Sequence, residues 1–414
     1  TFVDGDSFAG VITAGTLTAP SDFSLSDGNL FWGFSGTINA SSYDVEASYG
    51  GAQSAFRSKG VDIDASQAKV LDELLNGGQN SELAPLAQRL NRATSKRDLD
   101  AALDTVNPAL NGAAAQATRN SSGAVTSIIS KRQSLTRGAS SGNAFTDNGF
   151  WIKPYMGSAE QDDQNTTEGY EVDSSGVVFG VDTAMSENWR AGVALGSGTN
   201  EVDAKNADLD IDSTQLNLYG TWSMSDALSL DMKFGYGMHE YESARSANGN
   251  TATADYEGTQ LLLAADFKYL MEMGEKWTMT PGLGLSWSSV DVDGYTESGA
   301  GAFNLAVDDS DEDQVLVTAA AEFERELTPN SALTSGLRVA FDNETDQASV
   351  DTRLTSTGTT YVANGVEQDD LIYGAGLGYR YSTDGNMEFS VNYDVELRDE
   401  FDADQVSLRF RMPF

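Results

Sequence analysis

The sequence contains no cysteine and only one histidine, His239. Without cysteine the protein has no disulfide scaffold, no thiolate metal site and no cysteine nucleophile. A Ser-His-Asp triad would have to use His239 as its base, and metal sites built from several histidines are excluded. Basic residues are also scarce, with 25 Lys and Arg against 63 Asp and Glu and a formal net charge of −38. This excludes a nucleic-acid binder that works by neutralising phosphates.

Long hydrophobic runs are missing as well. No stretch approaches the roughly 18 apolar residues that a membrane-spanning helix needs. The chain starts at Thr1, with no initiator methionine and no signal-peptide pattern. We therefore expect a mature or trimmed piece of a longer protein. Its 414 residues are enough for two or three ordinary domains or for one large barrel with attachments.

Three zones of different composition follow one another along the chain. Residues 1–60 carry short polar strands separated by Gly, Ser and Asp turns. Residues 61–147 contain segments rich in the helix formers Ala, Leu, Lys, Arg and Gln. Residues 148–414 alternate apolar and polar side chains again and again. We take these zones as the predicted domains.

Alternation with a period of two is typical of strands with two unlike faces. One segment places Met387, Phe389 and Val391 on one face, with Glu388 and Ser390 between them. Such segments run for about ten residues or more, as a tilted strand needs to cross a bilayer, whereas strands of soluble proteins average about 5–6 residues. Aromatic residues cluster at segment ends, as in an interfacial girdle. The pattern therefore favours a lipid-facing barrel over a soluble sandwich.

Counting these segments predicts a 12-stranded antiparallel transmembrane β-barrel. The segments cover residues 150–158, 170–186, 189–199, 211–225, 228–240, 257–270, 277–288, 313–326, 331–342, 370–382, 387–398 and 404–414. Short turns alternate with longer acidic connections, as in outer-membrane barrels with periplasmic turns and extracellular loops. The predicted long loops are residues 159–169, 199–210, 241–256, 288–312 and 343–369. An even strand count places both ends of the barrel at the periplasmic side.

Residues 111–138 form an Ala-rich polar stretch that predicts a helix ending at Gly138. The stretch has no broad apolar stripe, so it fits a narrow polar lumen better than a conventional core. About 25 helical residues span almost 40 Å, which is enough to thread a barrel. Its Arg119, Lys131, Arg132 and Arg137 are expected to meet lumen carboxylates. The candidates are Asp182, Asp231, Glu322, Glu388 and Asp394. A solvent-exposed helix between domains is the alternative.

Shorter helices are predicted before this one, at residues 66–75, 82–92 and 96–105. Pro85 is tolerated only in the first turn of its helix. Six leucines of these helices are expected to be buried together. They are Leu71, Leu74, Leu75, Leu83, Leu86 and Leu90. The pattern leaves open whether these helices pack at the outer end of the barrel or extend in the pore.

Three further features have ordinary explanations. His239 lies on the polar face of its strand and is expected to be a lumen hydrogen-bonder. The run from Asp308 to Asp313 packs five carboxylates into six residues, but it lacks the EF-hand spacing, so a solvated acidic loop is favoured over a calcium site. Gly374, Gly376 and Gly378 alternate on one face and are expected to make room for the lumen helix. No cofactor and no metal site is predicted.

Several motifs resemble the translocator domain of classical autotransporters, the type V secretion proteins of Gram-negative bacteria. The entry from Asn148 to Gly157 is similar to the family's first strand, and residues 176–182 (Gly-Val-Val-Phe-Gly-Val-Asp) are similar to its second. The order of linker helices, pore helix and twelve strands also matches, over roughly residues 61–414. Met412 stands where the family usually has an aromatic residue, and Pro413 is a second departure.

The resemblance implies an outer-membrane barrel that exports and anchors an N-terminal passenger, driven by passenger folding outside the cell. It implies that residues 1–60 are the C-terminal end of that passenger, often a right-handed β-helix; a small plug or surface cap is the alternative. The terminal alternation would be the signal for the barrel-assembly machinery. It comprises Val406, Leu408, Phe410, Met412 and Phe414. The other implied partners are outer-membrane lipid and lipopolysaccharide, and the barrel is expected to be a monomer without nucleic acid.

Some members of that family cleave themselves in the pore, where an Asn side-chain amide attacks its own main-chain carbonyl. Asn120-Ser121 has the required residue types, but the paired Asn of cleaving members is absent. We expect no cleavage and no other enzyme activity. Two alternative functions stay open: a barrel whose extracellular loops act as an adhesin or hydrolase, and a diffusion porin.

Overall fold

The computed structural model describes residues 3–18, 28–77, 82–108, 110, 112–137, 149–164, 167–343, 347–383 and 387–413. The elements before the barrel are β1 (Ser7–Thr13), β2 (Trp32–Ile38), β3 (Ser42–Tyr49), α1 (Ala52–Arg57), α2 (Ala65–Asp72) with a π-helical turn (Glu73–Gly77), α3 (Ala84–Arg92), α4 (Lys96–Leu103) and α5 (Ala113–Arg137). The strands that follow are β4 (Gly149–Gln161), β5 (Tyr170–Ala184), β6 (Trp189–Ala204), β7 (Ala207–Ser223), β8 (Leu228–Ala247), β9 (Asn250–Tyr269), β10 (Met271–Glu272), β11 (Trp277–Val292), β12 (Tyr295–Thr296), β13 (Leu305–Val307), β14 (Ser310–Thr328), β15 (Ser331–Asp342), β16 (Ser349–Leu354), β17 (Thr360–Asn364), β18 (Leu371–Ser382), β19 (Glu388–Arg398) and β20 (Phe401–Pro413).

Twelve long antiparallel strands close into a barrel, which confirms the predicted fold class. Their order around the barrel is β4, β5, β6, β7, β8, β9, β11, β14, β15, β18, β19 and β20. The last strand pairs with the first, from Phe401 opposite Gln161 to Pro413 opposite Gly149. Closure leaves no barrel edge with unpaired backbone groups, which is the condition for strands to lie in lipid.

The two faces of the wall differ as the alternation predicts. On β7, Leu216 and Leu218 point outward and are about half exposed, whereas Gln215 and Asn217 point inward and are buried. At the end of the barrel with the short turns, Trp189 and Trp222 stack on the outer surface with ring centroids 5.7 Å apart. Such stacked aromatics are typical of the membrane interface.

At the opposite end the strands are longer than predicted. The prediction of long loops at residues 199–210 and 241–256 is wrong. A tight turn joins β6 to β7, and another joins β8 to β9. Acidic side chains fill the outward positions there, and carboxylates do not prevent strand pairing. Glu201 lies opposite Asp210, and Asp210 opposite Glu242. This acidic belt lies beyond the apolar band and marks the extracellular limit of the membrane-facing wall.

A cap covers the extracellular end of the barrel. Its core joins the helices α1–α4 and strands β2 and β3 to the barrel loops, with Phe31 and Leu71 in the same buried cluster as Phe303 and Tyr361. The loops contribute a four-stranded sheet in the order β12, β13, β16 and β17. All six predicted leucines are buried in this core, and Pro85 lies in the first turn of α3. The linker helices therefore pack on the outside of the pore.

The N-terminal strands form a separate sheet of the cap in the order β1, β3 and β2. They pair antiparallel, unlike the parallel rungs of a β-helix. The expectation of parallel β-helix rungs is therefore wrong for the described part of this segment. Short polar strands with Gly turns have the same composition in both arrangements, so the sequence does not distinguish them.

A buried ion pair joins the cap to the barrel. Arg245, near the tip of β8, donates from Nε and Nη2 to the two carboxylate oxygens of Glu297, at 2.9 and 2.6 Å. Nη1 donates to the main-chain oxygen of Thr105 at 3.0 Å, just beyond α4. Both charged side chains are only 2% exposed. We call these two residues the cap clamp.

The junction next to the clamp is expected to respond to pH. Burial, and then the neighbouring Glu168, raise the pKa of Asp104 to about 6. Because the folded state holds this proton more tightly than the unfolded chain, the stability of the cap should fall as pH rises from about 4 to about 7. Asp104→Asn should flatten this slope in the thermal midpoint of the cap, followed by circular dichroism.

A matched control, Asp98, lies in α4, the helix that Asp104 caps at its C-terminus. Hydrogen bonds from Thr94 and Ser95 hold the pKa of Asp98 below its ordinary value, so Asp98 stays ionised over that range. Asp98→Asn should leave the pH dependence of the thermal midpoint the same as in the unchanged chain. Equal slopes for Asp104→Asn and the unchanged chain would contradict the assignment.

Candidate functional site

The helix α5 (Ala113–Arg137) threads the barrel, as predicted. The two ends of the predicted stretch, Asn111 and Gly138, lie outside the described residues. Its first turns lie in an apolar layer with Tyr170, Val202 and Leu209 at the extracellular end. Its later turns pack against Trp151 and Val178. The helix therefore runs from the cap toward the end with the short turns, and its N-terminus lies at the cap.

A buried network of charges anchors the C-terminal half of α5 to the wall. Arg132 donates from Nε and Nη2 to the two oxygens of Asp182, each at 2.7 Å. Asp182 also accepts from Arg190 and from the hydroxyl of Tyr219 at 2.9 Å. The indole of Trp151 donates to that hydroxyl at 3.0 Å. We call these five residues the anchor; bidentate Arg–carboxylate pairs of this kind fix orientation as well as contribute energy.

Two other ion pairs connect α5 to the wall. Arg119 binds Glu312 of β14 at 2.7 Å, and Lys131 binds Asp394 of β19. Of the five predicted carboxylates, Asp182 and Asp394 therefore meet the helix. Glu312 was missed because it belongs to the acidic run assigned to a loop.

The other three predicted carboxylates pair within the wall. Lys268 binds Glu322 at 2.7 Å and lies 3.7 Å from Asp231, and Arg409 binds Glu388 at 3.0 Å. The side chain of Arg137 lies outside the described part of the structure. Basic side chains of the wall thus pair with acidic side chains of neighbouring strands. The helix supplies further cations, which pair with Asp182 and Asp394.

Glycines of the second strand make room for the anchor. A Cβ built on Gly180 would lie 2.2 Å from ring atoms of Trp151. The resemblance motifs at residues 148–157 and 176–182 therefore meet in space, since Trp151 of one occupies the gap left by Gly180 of the other. By contrast, a Cβ on Gly376 would meet the side chain of Asp394. This glycine therefore makes room for a side chain of the wall and not, as predicted, for the helix.

Gly180→Ala should destabilise the barrel by about 1–3 kcal/mol, because the new methyl group would overlap a buried ring. Gly336→Ala is the matched control, since the nearest atom to a Cβ there is 4.0 Å away. The measurement is the urea midpoint of the purified barrel. In a Trp151→Leu background the same alanine should cost less, and equal costs in both backgrounds would contradict the packing argument.

Asn120 and Ser121 lie in the middle of α5, inside the lumen. The Asn120 side-chain oxygen accepts from Gln116 at 3.1 Å, and its amide nitrogen is buried without a hydrogen-bond partner in the described structure. Ser121 is buried. Both residues are thus placed in the pore as predicted, but the main chain there is continuous α-helix.

The remaining candidates have structural roles. His239 is buried in the wall, with its Nδ1 2.8 Å from the hydroxyl of Ser213. Residues 310–313 begin β14, so the acidic run is part strand and not wholly a loop. Within the described residues no group of three or more His, Asp or Glu is arranged to hold a metal ion. None of the described helices combines the length and apolar character needed to cross a membrane.

The predicted assembly signal lies on the closing strand. Leu408 points outward and is about half exposed. The ring of Phe410 is tilted against that of Phe389, with centroids 5.2 Å apart. Val406 is part of the same strand. The side chain of Met412 and the whole of Phe414 lie outside the described part of the structure.

The barrel region matches the model of a known family. Residues 150–394 match the family model described as autotransporter β-domain. Outer membrane protein A of Rickettsia rickettsii is 26% identical over 318 residues, covering 70% of this chain and 14% of that protein. The chain therefore spans only a small part of the length of this relative.

Two solved structures are similar in fold. The translocator domain of autotransporter NalP from Neisseria meningitidis superposes with a TM-score of 0.59 at 17% identity, covering 71% of this chain and 98% of that one. The β-domain of the Bordetella autotransporter BrkA gives a TM-score of 0.50 at 14% identity, covering 65% of this chain and 100% of that one. Both support the architecture of the barrel.

Proposed function

Because this chain belongs to the autotransporter β-domain family, we propose that it exports an N-terminal passenger through the outer membrane and anchors it at the cell surface. The barrel is an outer-membrane protein of the family's kind and not an enzyme. Its action is physical: it provides a lipid-compatible wall and a polar lumen that holds the link to the passenger. The proposed domains are the passenger end (1–60), the linker and pore helix (61–147) and the translocator barrel (148–414).

The observation that carries this proposal is the path of α5. The helix begins under the cap, runs down the lumen and is held by the anchor near the periplasmic end. A chain that enters the barrel from the periplasmic side and leaves it at the surface is the arrangement expected after export. The cap then stays on the outside, fixed by the cap clamp.

The proposed partners follow from the wall. The outward rows of Leu, Phe and Tyr suit lipid, with lipopolysaccharide as the outer leaflet. We propose that the closing strand, with Val406, Leu408, Phe410, Met412 and Phe414, is read by the barrel-assembly machinery. Closure of the sheet within one chain supports a monomeric barrel linked covalently to its passenger.

The test is surface display. A peptide epitope fused before Thr1, behind a signal peptide, should be accessible to antibody on intact cells. Deletion of Phe414 should reduce the amount of folded barrel, whereas Met412→Phe, which introduces the aromatic residue usual in the family, should not. An epitope detected only after cell lysis, with a folded barrel in the outer membrane, would overturn the proposal.

The chain should stay uncut between Asn120 and Ser121. In-pore cleavage requires the side-chain amide nitrogen of Asn120 to attack the main-chain carbonyl carbon of Asn120. The regular α-helix fixes the position of that carbonyl group, which opposes the attack. Electrophoresis and N-terminal sequencing of the exported protein should show one chain, the same for the unchanged protein and for Asn120→Ala. A fragment that begins at Ser121 in the unchanged protein alone would show that self-cleavage occurs.

A further inference from the structure

The first and last strands of the barrel, β4 and β20, meet beside a cavity in the lumen. The helix α5 packs against β5, β6, β7, β8 and β11, and a cavity of about 1220 Å³ lies next to it. Lys153 of β4 and Arg409 of β20 are among the residues that line this cavity. We call the junction of β4 with β20 the closing seam, because it completes the barrel.

Two basic side chains face each other across the closing seam. Ile152 lies opposite Phe410, and the next residues along the two antiparallel strands are Lys153 and Arg409. The pairing continues in the same register beyond them, so these two residues lie in one row. Both side chains are buried, with 1% of Lys153 and 4% of Arg409 exposed. Like charges directly opposite each other destabilise a sheet.

The ammonium group of Lys153 has no carboxylate of its own. On its other side, the residue opposite Lys153 on β5 is the apolar Val178. Lys131 and Asp394 are close enough to act on its charge, but they pair with each other. Within the described part of the chain the Lys153 ammonium takes part in no hydrogen bond or ion pair. Burying a charged group without a partner is costly, so a ligand that pairs with Lys153 would stabilise the barrel.

The carboxylates near Arg409 are already committed. Glu388 lies 3.0 Å from Nη2 of Arg409 and 3.9 Å from Nη1 of Arg380. Arg380 also donates to Glu324 at 2.6 Å. Two carboxylates thus compensate the two arginines, and the pair between the helix and β19 is balanced in itself. Among these groups the charge of Lys153 remains without compensation.

Neutral hydrogen-bonding groups lie next to the two facing cations. Ser390 of β19 lies opposite Arg409, and both Ser390 and Asn392 line the cavity. An ammonium, a guanidinium, a hydroxyl and an amide group can donate hydrogen bonds toward one point from several directions. A tetrahedral oxyanion has four oxygen atoms to accept them, and charge-assisted bonds of this kind are the strong ones.

We propose that the closing seam holds one phosphate ion between Lys153 and Arg409, with the Ser390 hydroxyl as a further donor. The ion replaces the repulsion across the seam by attraction to both strands, so it stabilises the contact that completes the barrel. The site faces the lumen, whereas the next residue, Pro154, is exposed on the outer surface. The phosphate is therefore the free inorganic ion and not the headgroup of a lipid, whose acyl chains stay outside the wall.

Equilibrium dialysis of the purified full chain in detergent, with radiolabelled inorganic phosphate, measures the binding. The unchanged chain should bind one phosphate per barrel, and Lys153→Met should weaken the binding at least tenfold. Lys233→Met is the matched control, because Lys233 is also buried in the lumen wall but pairs with Asp266 at 2.6 Å. This control should bind phosphate like the unchanged chain. Ser390→Ala removes one donor and no charge, so it should weaken binding by less than Lys153→Met.

The urea midpoint of the same proteins gives a second measurement, in which the effect of Lys153→Met changes sign. In phosphate-free buffer Lys153→Met should raise the midpoint, because it removes a buried cation that faces Arg409. In saturating phosphate the order should reverse, because binding stabilises the folded state of the unchanged chain. The variant should gain only the general effect of the salt. Lys233→Met should lose stability in both buffers, since Asp266 loses its cation, and should keep the full response to phosphate.

Competition identifies the ligand. Chloride at the same concentration should not displace the labelled phosphate, and glycerol phosphate, which carries the phosphate ester of a lipid headgroup, should compete less well than inorganic phosphate. Equal competition by chloride, or stronger competition by glycerol phosphate, would overturn the assignment to free phosphate.

Two other results would contradict the site itself. Absence of phosphate binding would show that water alone solvates the Lys153 ammonium. A midpoint that Lys153→Met lowers in phosphate-free buffer would show that Lys153 has a stabilising partner within the protein. Folding of each variant is verified by the resistance of the barrel to detergent without heating. None of these measurements depends on a passenger, so failure of surface display would leave their interpretation unchanged.

Discussion

Asp182→Ala is expected to destabilise the barrel by about 3–5 kcal/mol, the cost typical of breaking a buried ion pair by removing one partner. The change would leave Arg132 and Arg190 buried side by side with no shared carboxylate. Both are almost fully buried in the structure, so water cannot replace the lost partner. The midpoint of urea unfolding, followed by the mobility shift of the folded barrel on electrophoresis, measures the effect.

The control for this change is Asp173→Ala on the same strand. Asp173 is exposed on the outer surface and lies opposite Glu201, so its removal relieves a like-charge contact and should be neutral or slightly stabilising. Arg132→Met should cost less than Asp182→Ala, because Asp182 keeps Arg190 and Tyr219. The same midpoint for the Asp182 and Asp173 variants would show that the anchor does not stabilise the barrel.

Arg245→Met is expected to loosen the cap by a comparable amount, about 3–5 kcal/mol. Glu297 would stay buried without its cation, and the carbonyl group of Thr105 would lose its donor. The expected result is faster amide hydrogen exchange in α3 and α4 of the intact chain, with the barrel strands unchanged. Exchange followed by mass spectrometry resolves the two regions.

Two further variants sharpen that test. In Arg245→Met with Glu297→Leu no buried charge is left, so part of the protection should return. Lys96→Met removes the exposed partner of Asp100, at 3.4 Å, and should cost no more than about 0.5 kcal/mol. Exchange in α4 that is insensitive to Arg245→Met would show that the cap is held by its apolar core alone.

The sequence alone predicts the barrel well, because lipid on one side and water on the other impose a strict period of two. It also predicts the lumen helix and names Arg132 and Asp182 among its cations and candidate carboxylates, since a polar helix with cations needs acids around it, but it does not pair them. The sequence analysis predicted the strands too short at the end of the barrel under the cap, because it followed the alternation through the apolar residues only. In the acidic belt, Asp208, Asp210 and Asp212 keep the same period.

The contacts that join the cap to the barrel loops could not be predicted from the sequence, for a different reason. Its core joins residues such as Phe31 and Tyr361, which are far apart in the chain, and no local period records such contacts. The loop strands β16 and β17 are short and lie in a stretch expected to be an acidic connection.

If the passenger is exported as proposed, the shared core of the cap gives that export a direction. Ten of the 32 buried residues of this core come from barrel strands and loops, and the others come from the chain before α5. On the proposed route the two parts can combine only after the linker helices have emerged, so the buried surface forms late and on one side of the membrane. Once formed, the assembled cap is too wide to pass back through a lumen that holds one helix. On the proposed route the cap would therefore act as a ratchet that keeps each outward movement of the linker.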